Sequence, residues 1–262
     1  MAAQAPVSSA PSLQIVIATC GADGLHRTAA MHLPRLPRVA WLVECQTAGG
    51  AGLVIPRLLR RPDVEVRFNA TRGLSANRNM MLRDATAPYV MIADDDLEFS
   101  SDGIERLLET MDANPGISLF CFRHDGPGRR RYPAAEKELR AYALRRHYPC
   151  SFEIALRVND VRDKKLEFNE LAGIGAPYLC AGEEDLFVFG LLKSGLRGRF
   201  YPFTVTTHRG LTTNDRNDSP AMWRTRGAVL RKLHPLTWPL RVIRHPRHLL
   251  HMMQGVVYAC RL

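Results

Sequence analysis

A buried strand that ends on three consecutive aspartates constrains this chain more than any other stretch. Residues 89–99 read YVMIADDDLEF, and the apolar run at 90–93 is typical of a strand covered on both faces. Open α/β sheets bind their ligands at the carboxyl ends of such strands. Because side chains alternate along an extended segment, Asp94 and Asp96 are expected on one side of the chain and Asp95 on the other.

The aspartate triplet favours a divalent cation. Two carboxylates roughly 5 Å apart repel each other by ~3 kcal/mol at an effective dielectric of about 20. Mg²⁺ or Mn²⁺, which prefer oxygen ligands, would convert this repulsion into binding. The alternative is a solvated acidic turn that caps the following helix, and the residues alone leave both interpretations open.

The pattern of strands and helices around the triplet predicts an α/β fold. Further strands are expected at residues 13–19, 39–44, 64–68 and 117–122, and helices at 27–33, 53–60 and 75–85 and directly after the triplet. Ser75 is predicted to cap one helix, and Asp102 and Glu105 to form a capping box for another. This alternation favours a mostly parallel, doubly wound sheet. The second half is less regular, with strands expected near 152–158 and 200–206 and a helix at 183–192.

Charge is unevenly distributed over the 262 residues, whose net charge is +10. From residue 219 onward the chain has no Asp or Glu but eight Arg and Lys side chains, which suits a partner that carries phosphates. No two of the six cysteines have Cys-x-x-Cys spacing, and no apolar run reaches the ~18 residues of a membrane span. Residues 1–12 are predicted to be a disordered tail, and the location is expected to be cytoplasmic.

Three further features are candidates for chemistry. Glu183, Glu184 and Asp185 follow Gly182 at a predicted helix start, where acids either complement the helix dipole or supply a general base. His208 ends a predicted strand, where it is either a structural residue or a ligand. Arg78 lies on a predicted helix and is either a solvated side chain or a bidentate partner for a diphosphate.

Taken in order, these segments resemble the family 2 glycosyltransferases of GT-A fold. The resemblance covers roughly residues 13–213 and rests on these stretches: IVIAT at 15–19, GLSANRN at 73–79, DDD at 94–96, GEED at 182–185, and His208. It implies a Rossmann-like, mostly parallel central sheet flanked by helices, followed by a basic helical extension at 214–262. It also divides the catalytic domain into a nucleotide-binding half, 13–122, and an acceptor-binding half, 123–213.

The resemblance also implies roles for individual residues. It assigns contacts with the nucleotide sugar to Thr19, Cys20, Glu44, Arg78, Asp94 and Asp95. The implied cofactor is Mn²⁺ or Mg²⁺, and its implied ligands are Asp94, Asp96 and His208. The catalytic base maps to Glu184, with Glu183 and Asp185 as neighbours onto which that assignment can shift. At the position where the family contacts the nucleobase of the donor, this chain has Glu44-Cys45-Gln46-Thr47 in place of the family's paired-Asp-Gly-Ser motif.

The function implied is inverting transfer from a nucleoside-diphosphate sugar, expected to be a UDP-sugar, to a glycan or lipid-linked acceptor. One alternative is a nucleotidyltransferase, but the loop after the first strand, Cys-Gly-Ala-Asp-Gly, lacks the basic residue expected there. Another is a basic nucleic-acid-binding protein, but no helix or aromatic platform of a known type is visible, so no specific nucleic acid is expected. The extension either packs on the domain or lies on an anionic membrane, which would place the protein on the inner face of the cell membrane.

Overall fold

The computed structural model describes residues 10–47, 52–127, 132–143, 149–210 and 218–262. Residues 1–9 of the predicted N-terminal tail and the predicted boundary at 213/214 lie outside this part of the chain. The structural statements that follow concern the described residues.

The first half of the chain alternates strands with helices, as the pattern predicts. Its elements are β1 (Leu13–Cys20), α1 (Gly21–Ala30), β2 (Val39–Gln46), β3 (Val64–Asn69), α2 (Leu74–Asp84), β4 (Tyr89–Asp94), β5 (Leu97–Phe99), α3 (Ser101–Ala113) and β6 (Leu119–Asp125). The segment predicted as a helix at 53–60 forms only a short 3-10 turn, Arg57–Leu59.

The second half contains three strands and then a run of helices. Its elements are β7 (Lys137–Leu139), β8 (Ile154–Arg157), α4 (Val158–Asp163), α5 (Glu183–Lys193), β9 (Gly198–His208), α6 (Pro220–Leu233), α7 (Trp238–Val242) and α8 (Leu249–Tyr258). A 3-10 turn, Ser151–Glu153, directly precedes β8. No described helix has the length and apolar character needed to cross a membrane.

The nine described strands form one mixed sheet in the order β3-β2-β1-β4-β8-β6-β9-β5, with β7 paired to β9. The parallel pairing that the alternation predicts is present in the block β3-β2-β1-β4 and between β6 and β9. β8 is antiparallel to both β4 and β6, and β5 and β7 are antiparallel to β9. The parallel block therefore brings the ends of β1, β2 and β4 to one edge, where the aspartates lie.

Two hydrophobic layers cover the two faces of this sheet. On one face Ile15 and Ile17 pack with Leu25 of α1 and Leu107 of α3. On the other face Val16 and its neighbours pack with the apolar sides of α2, α4 and α5. Helices on both faces of the sheet confirm the predicted α/β architecture, but the described sheet is mixed and not mostly parallel, since four of its eight strand pairings are antiparallel.

Two predicted helix caps are wrong, because tertiary contacts decide both positions. α2 begins after Gly73, whose φ of +88° favours glycine, and the Ser75 hydroxyl instead donates to the carbonyl of Ala172 at 2.6 Å. α3 is capped by Ser100, whose hydroxyl accepts from the amide of Gly103, so the predicted Asp102–Glu105 capping box does not form.

The extension at the end of the chain is a helical unit that packs on the α/β domain through α6. Leu233 of α6 is buried with Phe189 of α5 and Ala141. α6 and α8 cross closely at two glycines: a Cβ on Gly227 would lie 2.0 Å from the Met252 carbonyl oxygen, and one on Gly255 would lie 1.8 Å from that of Arg224. The extension therefore contacts the rest of the protein through α6, while several apolar side chains of α7 and α8 are exposed.

Candidate active site

The aspartate triplet lies where β4 turns into β5. β4 ends at Asp94, Asp95 and Asp96 form the turn, and β5 then pairs antiparallel with the end of β9 so that Leu97 lies opposite His208. This pairing brings a residue from the end of a distant strand to the triplet. The sequence pattern did not predict β5, and hence it did not predict this register.

Each aspartate contacts a different partner. Asp94 Oδ1 accepts from Arg78 Nη2 at 3.0 Å, and Asp96 Oδ2 lies 3.2 Å from His208 Nε2. Asp95 accepts from the Thr19 hydroxyl and from Arg27, whose Nε and Nη2 lie 3.1 and 2.8 Å from its two oxygens. The alternation expected from a continuous strand is wrong here, because the turn after Asp94 lets all three border the same cavity.

Arg78 is the centre of an ion-pair network. Its side chain is 1% exposed, and Nη1 lies 3.1 Å from Glu183 Oε1 and 3.3 Å from Glu184 Oε1. Nη2 bonds Asp94 and also the hydroxyl of Ser151 at 2.7 Å. The guanidinium thus joins the acids of α5 to the first acid of the triplet. In this structure its two terminal nitrogens, Nη1 and Nη2, bond three carboxylates and the Ser151 hydroxyl, whereas the family resemblance assigns Arg78 to the nucleotide-sugar site.

The three acids at the start of α5 occupy three environments. Gly182 caps the helix with φ +87°, and a Cβ there would lie 2.6 Å from Val229 of α6. Glu183 is buried, and this burial raises the pKa of its carboxyl to about 8. Glu184 is one-fifth exposed and borders the cavity, whereas Asp185 lines a separate cavity against α6. Of the three, Glu184 has the geometry of an accessible base.

These residues surround a cavity of about 360 Å³, which is large enough for part of a nucleotide sugar. The cavity brings together seven residues predicted from the sequence: Arg78, Asp94, Asp95, Asp96, Glu183, Glu184 and His208. An adjoining cavity of about 280 Å³ shares Ala18, Leu74, Asp95 and Ile174 with it and contains Thr19 and Cys20. Together they form one continuous acidic cleft along the carboxyl edge of the sheet.

Glu44 does not reach this cleft. Its side chain is fully buried, Oε2 accepts from Asn69 at 3.0 Å, and burial raises the pKa of the carboxyl to about 7. Gln46, two residues later on β2, lines the adjoining cavity, where its amide nitrogen donates to Thr71 and to the Gly73 carbonyl. Gln46 therefore occupies the location that the sequence predicts for Glu44.

The geometry around His208 suits a metal ligand. Nδ1 lies 2.7 Å from the Gly210 carbonyl, which only accepts, so Nδ1 carries a proton and Nε2 faces Asp96. The Phe152 ring stacks on the imidazole with centroids 5.4 Å apart, and the hydrogen bond with Asp96 raises the pKa of His208. A cation between Nε2 and the carboxylate would replace the proton that otherwise joins them.

Asp96 and His208 therefore fit Mn²⁺ or Mg²⁺, but they do not complete a site. Within the part of the chain that the structure describes, no three His, Cys, Asp or Glu side chains gather closely enough to hold a metal. Asp94, the third predicted ligand, is paired with Arg78. The remaining ligands would have to come from the substrate, as Mg²⁺ commonly takes oxygens from phosphates.

Three site residues were not predicted from the sequence. Ser151 reaches Arg78 from the 3-10 turn before β8, Arg27 reaches Asp95 from α1, and Gln46 ends β2. The position of Gln46 at a strand end was the one available signal. Ser151 and Arg27 become neighbours of the triplet only through the tertiary fold.

Comparison with known proteins agrees with this geometry. Residues 54–168, which include α2 and the aspartate triplet, match the model of the family described as Glycosyl transferase family 2. Over these residues the chain is similar to family 2 glycosyltransferases. The predicted resemblance is thereby confirmed, and so is the assignment of the protein as a glycosyltransferase. A search of curated protein sequences finds no significant match.

Solved structures confirm the GT-A fold of this glycosyltransferase. S. aureus TarS 1-349 in complex with UDP-GlcNAc has a TM-score of 0.59 and 14% identity, covering 95% of this chain and 71% of that one. The mannosyltransferase PcManGT from Pyrobaculum calidifontis, in complex with GDP-Man and Mn²⁺, has a TM-score of 0.54 and 14% identity, covering 97% and 76%. A longer TarS chain is covered over 43% of its length, at TM-score 0.57 and 15% identity. At these identities the likeness shows the fold alone.

Proposed function

We propose that this glycosyltransferase moves a sugar from a nucleoside-diphosphate sugar, with a UDP-sugar as the expected donor, to a hydroxyl of a glycan or lipid-linked acceptor. The observation that carries the proposal is the position of Glu184. Its carboxylate opens to the same cavity as the aspartate triplet, and Arg78 connects the two groups. UDP-GlcNAc and GDP-Man in similarly folded proteins support a donor of this class.

The donor is proposed to lie along the acidic cleft. Its nucleoside would occupy the adjoining cavity beside Thr19, Cys20 and Gln46, and its diphosphate would face Asp96 and His208. These two residues would hold Mn²⁺ or Mg²⁺, which supplies Lewis-acid stabilisation of the charge on the leaving diphosphate. Arg27 neutralises Asp95 at the border between the two cavities, which reduces the repulsion that a diphosphate would otherwise meet.

Transfer is proposed to be a single displacement with inversion. Glu184 accepts the proton of the acceptor hydroxyl while that oxygen forms a bond to the anomeric carbon, and the bond from this carbon to the diphosphate oxygen breaks. Arg78 orients the Glu184 carboxylate from 3.3 Å. Glu183 is buried beside it with a raised pKa, so it suits a structural role better than proton transfer in the cavity.

The test is a transfer and donor-hydrolysis assay with a panel of nucleotide sugars and Mn²⁺. Glu184→Gln keeps the shape of the side chain but removes the base, so kcat is expected to fall at least ~10²-fold with an unchanged melting temperature. Asp185→Asn, in the separate cavity, and the exposed Glu109→Gln are matched controls that should keep wild-type rates.

Two outcomes would refute the assignment. One is a Glu184→Gln enzyme with wild-type kcat, and the other is a loss of activity in Asp185→Asn as large as that in Glu184→Gln. The anomeric configuration of the product, determined by NMR, tests inversion separately, because retention would exclude a single displacement.

A further inference from the structure

The last two helices of the chain leave an apolar surface uncovered. On α8, Leu250 and Val257 are 68% and 70% exposed, and Leu249 and Met253 are also exposed. At 100° per residue these four side chains fall within an arc of about 100°, so they form one stripe along the helix. The adjacent side of α8, with Met252 and Val256, is buried with Trp223 of α6 and Val242 of α7. α8 is therefore apolar on two faces and has a partner on only one.

α7 and the turn before it, next to α8 in the chain, also expose large apolar side chains. Leu236 is 92% exposed, and Leu240 and Ile243, three residues apart on and just after α7, are 66% and 65% exposed. Monomeric proteins seldom leave this many large apolar side chains uncovered within one short segment, and such a concentration marks an interaction site. We call residues 236–257 with these exposed side chains the apolar face.

The charges next to the apolar face have a single sign. Arg244 and Arg247 lie exposed between α7 and α8, and Arg261 follows α8. The sequence has no Asp or Glu after Asp218, and among the described residues neither Arg244 nor Arg247 forms an ion pair. A protein partner would be expected to present acids at matching points, whereas an anionic lipid surface supplies negative charge everywhere along the face.

We propose that the apolar face docks the protein on the surface of an anionic phospholipid bilayer. The leucine, isoleucine and valine side chains enter the boundary between headgroups and acyl chains, and the arginines contact lipid phosphates. Because α6 packs against the start of α5, this contact would hold the catalytic cleft at a fixed position relative to the lipid. The proposal concerns a surface outside the cleft and is independent of the donor chemistry.

The experiment is flotation of the whole protein with two kinds of vesicle. One is neutral phosphatidylcholine, and in the other about a third of the lipid is anionic phosphatidylglycerol. Binding is expected with the anionic vesicles and is expected to weaken with salt. Leu250→Gln/Val257→Gln should weaken binding at least ~10-fold, because each substitution removes most of the free energy that the side chain gains on transfer from water into the lipid. Arg244→Gln/Arg247→Gln should weaken it about 5-fold per arginine.

Matched controls come from exposed residues elsewhere in the chain. Val54→Gln/Leu58→Gln removes two equally exposed apolar side chains, and Arg57→Gln/Arg83→Gln removes two exposed arginines. Both controls should bind like the wild type. Equal binding of neutral and anionic vesicles would overturn the proposal, as would wild-type binding by the α8 double variant. A protein that ignores vesicles but forms a dimer that the α8 double variant abolishes would show that a second copy covers the face.

Discussion

The catalytic cleft and the C-terminal extension use arginine in opposite ways. Arg78 is buried at the sheet edge and forms ion pairs with Glu183, Glu184 and Asp94. Arg244 and Arg247 are exposed on a unit whose sequence has no acid after Asp218. Residues 219–262 contribute eight of the ten net positive charges, and basic and acidic residues nearly balance in the rest of the chain. In the first region charge holds structure together, whereas in the second it is available to a partner.

The largest expected effect comes from removing the buried arginine. Arg78→Met would leave three carboxylates without their counter-charge, and breaking a buried network in this way costs about 3–5 kcal/mol. Urea unfolding monitored by circular dichroism measures the loss. Arg244→Met is the matched control and should change the free energy of unfolding by less than about 0.5 kcal/mol. Equal effects of the two substitutions would remove the distinction between the two regions.

A smaller effect is expected where the extension is held together by close backbone contact. Gly255→Ala places a methyl group 1.8 Å from the Arg224 carbonyl oxygen, so α6 and α8 must separate, at a cost of about 1–3 kcal/mol. Gly190→Ala on α5 meets no atom within 4 Å and should instead stabilise by roughly 0.5–1 kcal/mol. Thermal unfolding of both variants checks the opposite signs. A neutral Gly255→Ala would show that the crossing of α6 and α8 is looser than the structure indicates.

A pH-dependent effect is expected at Glu44, on the sheet beneath the cleft. Its folded-state pKa is raised to about 7, so the native state binds a proton that the unfolded state has already lost above its ordinary pKa. The stability of the wild type should therefore fall as pH rises from about 4.5 to 7, by about 1–3 kcal/mol. Glu44→Gln should show a smaller fall between pH 5 and pH 8 in urea unfolding, because only the contribution of Glu44 is removed while that of Glu183, whose pKa is also raised, remains. Parallel pH profiles for wild type and Glu44→Gln would contradict this account.

Local patterns in the sequence were enough to predict the parallel half of the sheet. β1 and β4 are continuous buried apolar runs that end at polar residues, so each can be recognised as a strand from its own sequence. Helix starts were less predictable, because Gly73 and Ser100 are set by contacts with distant segments. The short edge strands β5 and β7 have too few residues to show a period. Their pairing with β9 depends on the whole fold.

The candidate site shows the same division. The order of the candidate residues along the chain resembles a known family, and this resemblance identified them. The structure brings the aspartate triplet, Glu183, Glu184 and His208 to one cavity. The order along the chain did not predict which of these side chains contact each other. Neither the burial of Arg78 among three carboxylates nor its bond to Ser151 follows from local sequence, since the partners lie 16 to 106 residues away. Strand register also decides that Gln46, and not Glu44, borders the cleft.

The most direct test of the central claim is isothermal titration of UDP and GDP into the protein with and without Mn²⁺. The account predicts that one of these nucleotides binds only with the metal, and that Asp96→Ala weakens this binding at least ~10-fold while the exposed Glu109→Ala does not. Binding that is independent of Mn²⁺ and unchanged in Asp96→Ala would contradict the placement of a donor diphosphate at Asp96 and His208.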